Sequence, residues 1–264
     1  MKTLTALTGL LITQLAIAGS IEDAKTPEEK GLAVAIAADR ADEGWKDWSA
    51  DAEMILKNRH GQTSSRQMRM QALEQKDDGD KRLIVFDSPR DVKGTAFLVF
   101  THKQGNDDQW LYLPALKRVK RIASNNKSGP FVGSEFAYED LSSQEVEKYT
   151  YKFVKEETAE GHACYVIERY PVDRKSGYTK HVAWIDKTEF RNIRTEYYDR
   201  KGSLLKTFKA LGYKAYGENY WRADRFEMVN HQTGKSTTLT WRGYEFTKGL
   251  RESNFNSSRL KNVR

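Results

Sequence analysis

Residues 110–141 read WLYLPALKRVKRIASNNKSGPFVGSEFAYEDL. The run opens as an apolar strand, Trp110 to Leu113. After Pro114 it becomes a basic strand, with Lys117, Arg118, Lys120 and Arg121 around Val119 and Ile122. A polar, glycine-containing loop follows from Ser124 to Ser134, interrupted by Pro130, Phe131 and Val132. It closes on Glu135, Phe136, Tyr138, Glu139, Asp140 and Leu141. Phe131, Val132, Phe136 and Tyr138 beside four cations suit contact with something amphipathic, apolar at one end and anionic at the other. Ser124–Leu141 is therefore expected to border a cavity mouth, with Lys117, Arg118, Lys120 and Arg121 as a basic rim that meets an anionic headgroup or an acidic partner. The same cations as a solvated strand face need no function, and both readings stand. Glu139 and Asp140 are adjacent, which suits anchoring of the loop.

Upstream, Trp48, Ala50, Ala52, Met54 and Leu56 alternate with mostly polar residues, which predicts a half-buried strand over 48–57. Met68, Met70 and Ala72 repeat the pattern, and Asn58-Arg-His-Gly61 between them reads as a hairpin turn. Leu83–Phe86 and Ala96–Phe100 are nearly continuous apolar runs, expected to be the most buried strands. Downstream, strands are expected at 145–156, 162–170, 178–186, 190–200, 203–216, 220–232 and 235–247, joined by short turns. A meander of this rhythm points to a barrel or a strongly curled sheet. The one clear helix is capped by Thr26-Pro27-Glu28-Glu29 and is expected over Pro27 to Asp42.

The first residues read as an address. Lys2, an apolar Leu4–Ile17 and the small-x-small site Ala16-Ile-Ala18 predict a signal peptide over 1–18, leaving 19–264 as one β domain in the periplasm. The single cysteine, Cys164, lies in an apolar strand and is expected to be a buried thiol. The formal charge of +7 admits nucleic acid, anionic headgroups or mere solubility as explanations. Export argues against nucleic acid, so only peripheral membrane contact is expected.

Catalytic and metal signatures are missing from the sequence. The five histidines show no ligand spacing, and no nucleophile elbow, P-loop or dinucleotide fingerprint occurs. Ser134, between Gly133 and Glu135, has no histidine nearby in sequence. No catalytic residue, metal or cofactor is therefore assigned. Aromatics and methionines carry more weight, because a curled sheet with an apolar inner face can leave a ligand cavity. Trp48, Met54, Met68, Met70, Phe86, Leu98 and Phe100 are expected to face inward, and Trp110, Phe131 and Phe136 to join them as ligand-binding residues.

The words Trp110-Leu-Tyr-Leu-Pro114, Arg118-Val-Lys-Arg-Ile122 and Gly133-Ser-Glu-Phe-Ala-Tyr-Glu-Asp-Leu141 resemble the signature of LolA-like outer-membrane lipoprotein-sorting proteins, in the branch encoded beside RND-type (MmpL-like) exporters. The resemblance implies a mainly β fold: an unclosed antiparallel β-barrel with an N-terminal helix packed against it. It also implies a non-enzymatic periplasmic carrier that shields a lipid or lipoprotein acyl chains between the inner and outer membranes, with an exporter as partner. The alternatives are a non-catalytic accessory or adaptor of an exporter and a small all-β hydrolase.

Overall fold

The computed structural model describes residues 20–217 and 220–263, so the expected signal peptide lies outside the described residues. Helix α1 runs over Pro27–Ala41. Its start follows from the capping box: Glu29 N–H donates to Thr26 Oγ1 at 3.1 Å, and Thr26 N–H donates back to Glu29 Oε2 at 3.2 Å. Two orphan helix donors are thereby satisfied.

Thirteen strands follow: β1 (Asp47–Lys57), β2 (Thr63–Leu73), β3 (Lys81–Ser88), β4 (Ala96–Phe100), β5 (Asp108–Leu113), β6 (Arg118–Arg121), β7 (Tyr149–Ala159), β8 (His162–Pro171), β9 (Tyr178–Asp186), β10 (Asn192–Asp199), β11 (Leu204–Tyr216), β12 (Tyr220–Asn230) and β13 (Ser236–Phe246). They form one antiparallel sheet in the order β6-β5-β4-β3-β2-β1-β13-β12-β11-β10-β9-β8-β7. Neighbours in the sheet are neighbours in sequence except at one place, where β1 pairs with β13. The sheet does not close. Strands β6 and β7 are its two free edges, and the chain between them, 122–148, holds the second half of the signature run. The expected unclosed barrel with an N-terminal helix is what the structure shows.

Period-two patterning sets the faces. On the inner face Trp48, Met54, Met68, Met70, Ile84, Phe86, Phe97, Val99 and Leu111 form one cluster with Met228, Leu239 and Trp241. Helix α1 covers the other half of the inner face, placing Val34 against Tyr151, Ile167, Ala183 and Ile185. On the outer face of β3–β5, Leu83, Val85, Ala96 and Leu98 are buried beneath Phe255 and Leu260 of the C-terminal segment, and Phe100 and Trp110 pack beside them. Leu98, Phe100 and Trp110 thus lie on the face opposite to the one expected, and Phe97, Val99 and Leu111 take the inner positions. The reason is physical. A strand buried on both sides is apolar throughout, so alternation carries no face information.

Cys164 is fully buried on the outer side of β8, in a cluster with Val166, Trp184 and Ile193. Gly31 marks where α1 meets β7. A Cβ at this position would lie 2.7 Å from the Lys152 carbonyl carbon and from the Phe153 nitrogen. In an open helix Gly→Ala gains about 1 kcal/mol. At Gly31 the helix would have to lift off the edge strand, so Gly31→Ala is expected to destabilise the protein by about 1–3 kcal/mol in urea unfolding. A variant as stable as the parent would show that the helix is not seated at this distance.

Candidate functional site

A cavity of about 980 Å³ lies between the inner face of the sheet, the C-terminal half of α1 and the 131–146 segment. One wall is apolar and aromatic. Trp48, Met54, Met68, Met70 and Ile84 come from β1–β3, and Phe208, Phe226, Leu239, Trp241 and Tyr244 from β11–β13. The rings of Trp48 and Trp241 meet edge-on at 6.4 Å, and Phe226 packs on Trp241 at 5.7 Å. Three of the early-strand methionines are on this wall, and thioether side chains adapt readily to ligands of varied shape.

The remaining lining is polar. Asp39, Glu43, Glu74, Lys76, Asp80, Arg82, Lys103, Glu145 and Arg169 border the cavity on the side of the α1 C-terminus and the β2–β3 turn. Burial, with Asp80 and Asp39 adding repulsion, pushes Glu145 up to about 7. Burial and Glu43 push Asp39 up to about 6. Asp39 also sits in the last turn of α1, where the helix dipole disfavours a negative charge.

The signature run is the third wall. Phe131 is fully buried between Phe86 at 5.8 Å and Phe97 at 5.2 Å, and Tyr138 closes on Phe131 at 5.7 Å. Phe131, Phe136, Asp140 and Leu141 line the cavity. Val132 holds a left-handed backbone, φ 45°, that a β-branched residue rarely adopts. Its carbonyl accepts a short hydrogen bond from Arg66 of β2.

The acidic end of the run anchors it. Lys206 of β11 donates to Asp140 Oδ2 at 2.6 Å, with the two side chains only 4% and 3% exposed. Asp140 also accepts from the Ala137 N–H at 2.6 Å and the Tyr178 hydroxyl at 2.8 Å. Glu139 accepts from the Ser176 hydroxyl and the Gly177 N–H, both at 2.8 Å. Asn230 donates to Glu135 Oε2 at 2.7 Å. The acidic residues therefore tie the segment to β9, β11 and β12, as their adjacency suggested. Ser134 is buried, and its hydroxyl exchanges contacts with the Phe136 backbone at 3.3–3.4 Å.

The structure places the sequence-derived residues unequally. Trp48, Met54, Met68, Met70, Phe131 and Phe136 line the cavity. Phe86 is on the inner face but lies behind Phe131. Leu98, Phe100 and Trp110 are on the outer face. None of Lys117, Arg118, Lys120 and Arg121 lines the cavity. All four are exposed along edge strand β6 and its approach. Register divides the strand, because opposed residues share a face. Arg118 and Lys120 oppose Leu113 and Leu111 on the inner side, and Arg121 opposes Trp110 on the outer side, where it pairs with Asp108. Sequence reasoning left out Phe208, Phe226, Leu239 and Tyr244. Their strands carry charges on both faces, so the signal was only the inward half of a noisy alternation.

Among the described residues no group of three or more His, Cys, Asp or Glu is arranged to hold a metal ion. A family model described as "Uncharacterized protein" matches residues 78–262. A solved structure from Vibrio parahaemolyticus, named for an outer membrane lipoprotein-sorting protein domain, is 56% identical over 89% of this chain and 99% of that one, with a TM-score of 0.87. The chain belongs to that family. A DUF1329 family protein from Desulfovibrio piger is similar at 29% identity over 89% of this chain and 99% of that one, TM-score 0.83. A LolA superfamily protein from Nitrosomonas europaea, 19% identical over 88% of this chain and 98% of that one, has a TM-score of 0.67 and shows the shared fold. Among curated proteins none matches.

The anchored loop and the raised carboxylates of this site each have a measurable consequence. Asp140→Ala leaves Lys206 as an uncompensated buried cation and is expected to cost about 3–5 kcal/mol in urea unfolding, part of which Lys206→Met should restore. A cost well below that range would mean the loop is held by other contacts. The raised carboxylates give a pH signature. Glu145 holds its proton longer in the folded chain than in the unfolded one, so its contribution to stability falls as pH rises from its ordinary value of 4.5 through about 7. Glu145→Gln is therefore expected to raise Tm above the parent at pH 8 but not at pH 4.5, and a pH-independent difference would contradict this.

Proposed function

We propose that this protein is a non-enzymatic periplasmic carrier that holds a lipid or the acyl chains of a lipoprotein in the cavity while it passes between inner and outer membranes. The observation that carries the reading is the 980 Å³ cavity, walled by methionine and aromatic side chains from both halves of the sheet. Its size is at the upper end of the roughly 300–1,000 Å³ common for ligand sites. Each acyl methylene withdrawn from water is worth about 0.8 kcal/mol, so such a wall can offset the cost of leaving a membrane. Family membership and the shared fold support a binding role. A cleaved signal peptide over 1–18, a single domain over 19–264 and an RND/MmpL-like exporter as donor or acceptor belong to the same proposal, the exporter on the resemblance of the signature run.

Strand β6 supports a second reading, an exporter accessory that docks without taking cargo. Leu116, 52% exposed, and Val119 stand on the surface among Lys117, Arg118 and Lys120, which make no ion pair among the described residues. Binding separates the two readings. A carrier takes up a fluorescent fatty acid saturably, and natural lipid leaves with it in native mass spectrometry. Met68→Trp and Met70→Trp, which grow into the void, are expected to weaken probe binding about tenfold with little change in Tm. Absence of saturable binding by the parent protein would remove the carrier reading and leave the accessory.

A further inference from the structure

Arg169 lies on β8 between Ile167 and the strand end, lines the cavity and is only 7% exposed. Its guanidinium donates to Gln144 Oε1 at 2.8 Å and to Thr195 Oγ1 at 3.3 Å. It lies 6.0 Å from the centre of the Tyr149 ring. Its Nε is buried and has no hydrogen-bond partner. Among the described residues Arg169 makes no ion pair, unlike the buried Lys206 and the nearly buried Arg191. Lys206 has Asp140 at 2.6 Å and Arg191 has Asp186 at 2.5 Å.

Among the described residues no carboxylate lies within ion-pair distance of Arg169; Glu139 and Asp140, which act on the same buried Tyr149 and Tyr197 as Arg169 does, are held by Ser176, Gly177 and Lys206. His181 is buried nearby with both ring nitrogens unpartnered. Burial, Arg169 and Lys206 hold it well below its ordinary pKa, so it is a neutral imidazole. Of the carboxylates that line the cavity, Asp80 pairs with Arg82 at 3.8 Å and Asp140 with Lys206 at 2.6 Å, and burial and mutual repulsion raise Asp39 and Glu145. A buried charge without a partner is strongly destabilising, and buried polar atoms left unpaired are few in native proteins. A guanidinium is also the side chain whose planar fork matches carboxylate and phosphate oxygens.

We infer that Arg169, with Thr195 and Gln144 as fixed neighbours, binds the anionic head of an amphiphile, a carboxylate or phosphate, whose hydrocarbon occupies the apolar part of the same cavity. The inference rests on the carrier reading and adds the chemistry of the cargo to it. The head would meet a guanidinium that is only 7% exposed, where charged hydrogen bonds are stronger than at the open surface.

The test compares palmitate, hexadecyl phosphate, hexadecanol and inorganic phosphate on delipidated full-length protein by calorimetry. The parent is expected to bind palmitate or hexadecyl phosphate about tenfold or more tightly than hexadecanol. Arg169→Met is expected to erase that preference while leaving hexadecanol binding in place, and to keep Tm, since an apolar side chain of similar length replaces an unpaired charge. Equal binding of all three amphiphiles by the parent overturns the anion site and leaves the carrier standing. Binding of none of them ends both. Inorganic phosphate binding as tightly as hexadecyl phosphate overturns the amphiphile and assigns the site to free phosphate. If Arg169→Met does not fold, the parent's own preference still decides, and Arg169→Lys, which keeps the charge but loses the fork, is expected to narrow it.

Discussion

The pairing of β1 with β13 is the contact on which the molecule depends. It runs from Trp48 opposite Phe246 to Lys57 opposite Ser236, with one register shift between Ser49 and Asp51. Everything on the β2 side is a meander of local hairpins, and so is everything on the β12 side. Without this seam there would be two small sheets, each with an apolar face open to water. The seam places Met54 opposite Leu239 and Ala52 opposite Trp241, so the walls of the cavity come from both ends of the chain. Loop-closure entropy grows only slowly with separation, so joining strands this far apart is thermodynamically tolerable once the inner faces are covered together.

An unclosed sheet leaves two edges and an inner face too wide to fill itself. The chain solves both with the 122–148 connection. The segment leaves edge β6, crosses the inner face with Phe131 as its plug, and is fixed to β11 through Asp140 and Lys206 before reaching edge β7. Buried ion pairs are weak evidence for stability, because desolvation opposes the attraction. Here the pair sets position. It holds a strained Val132 and a buried Phe131 in one arrangement, which a purely apolar loop could slide out of. Edge β6 carries exposed cations, a common device against edge-to-edge pairing.

The cavity is amphipathic by construction. Its apolar wall is the continuation of the hydrophobic core across the seam, and its polar wall is where α1 ends and 142–146 passes overhead. On that polar wall burial and mutual repulsion raise Glu145 to about 7 and Asp39 to about 6. A cargo with a hydrocarbon part and a polar head meets both kinds of surface, which is the physical sense of a carrier reading for a member of the lipoprotein-sorting family.

The sequence by itself determined the elements. Capping at Thr26, alternation in β1 and β2, and turn residues at 58–61 are local signals, and local physics decides them. It also marked the signature run, and with it the family and the open barrel. The loop-anchoring role of Glu139 and Asp140 was legible from their place at the end of that run, although Lys206 as partner was not. Only the tertiary structure decided which face of β3–β5 is inside. Leu98, Phe100 and Trp110 point outward because the C-terminal segment with Phe255 and Leu260 lies over them, a contact about 150 residues distant that no alternation in AFLVF can report. The same holds for Arg169. Its sequence neighbours look like any strand, and its place without an ion-pair partner, bonded instead to Gln144 and Thr195, appears only when β8, β10 and the 144 loop are brought together in space.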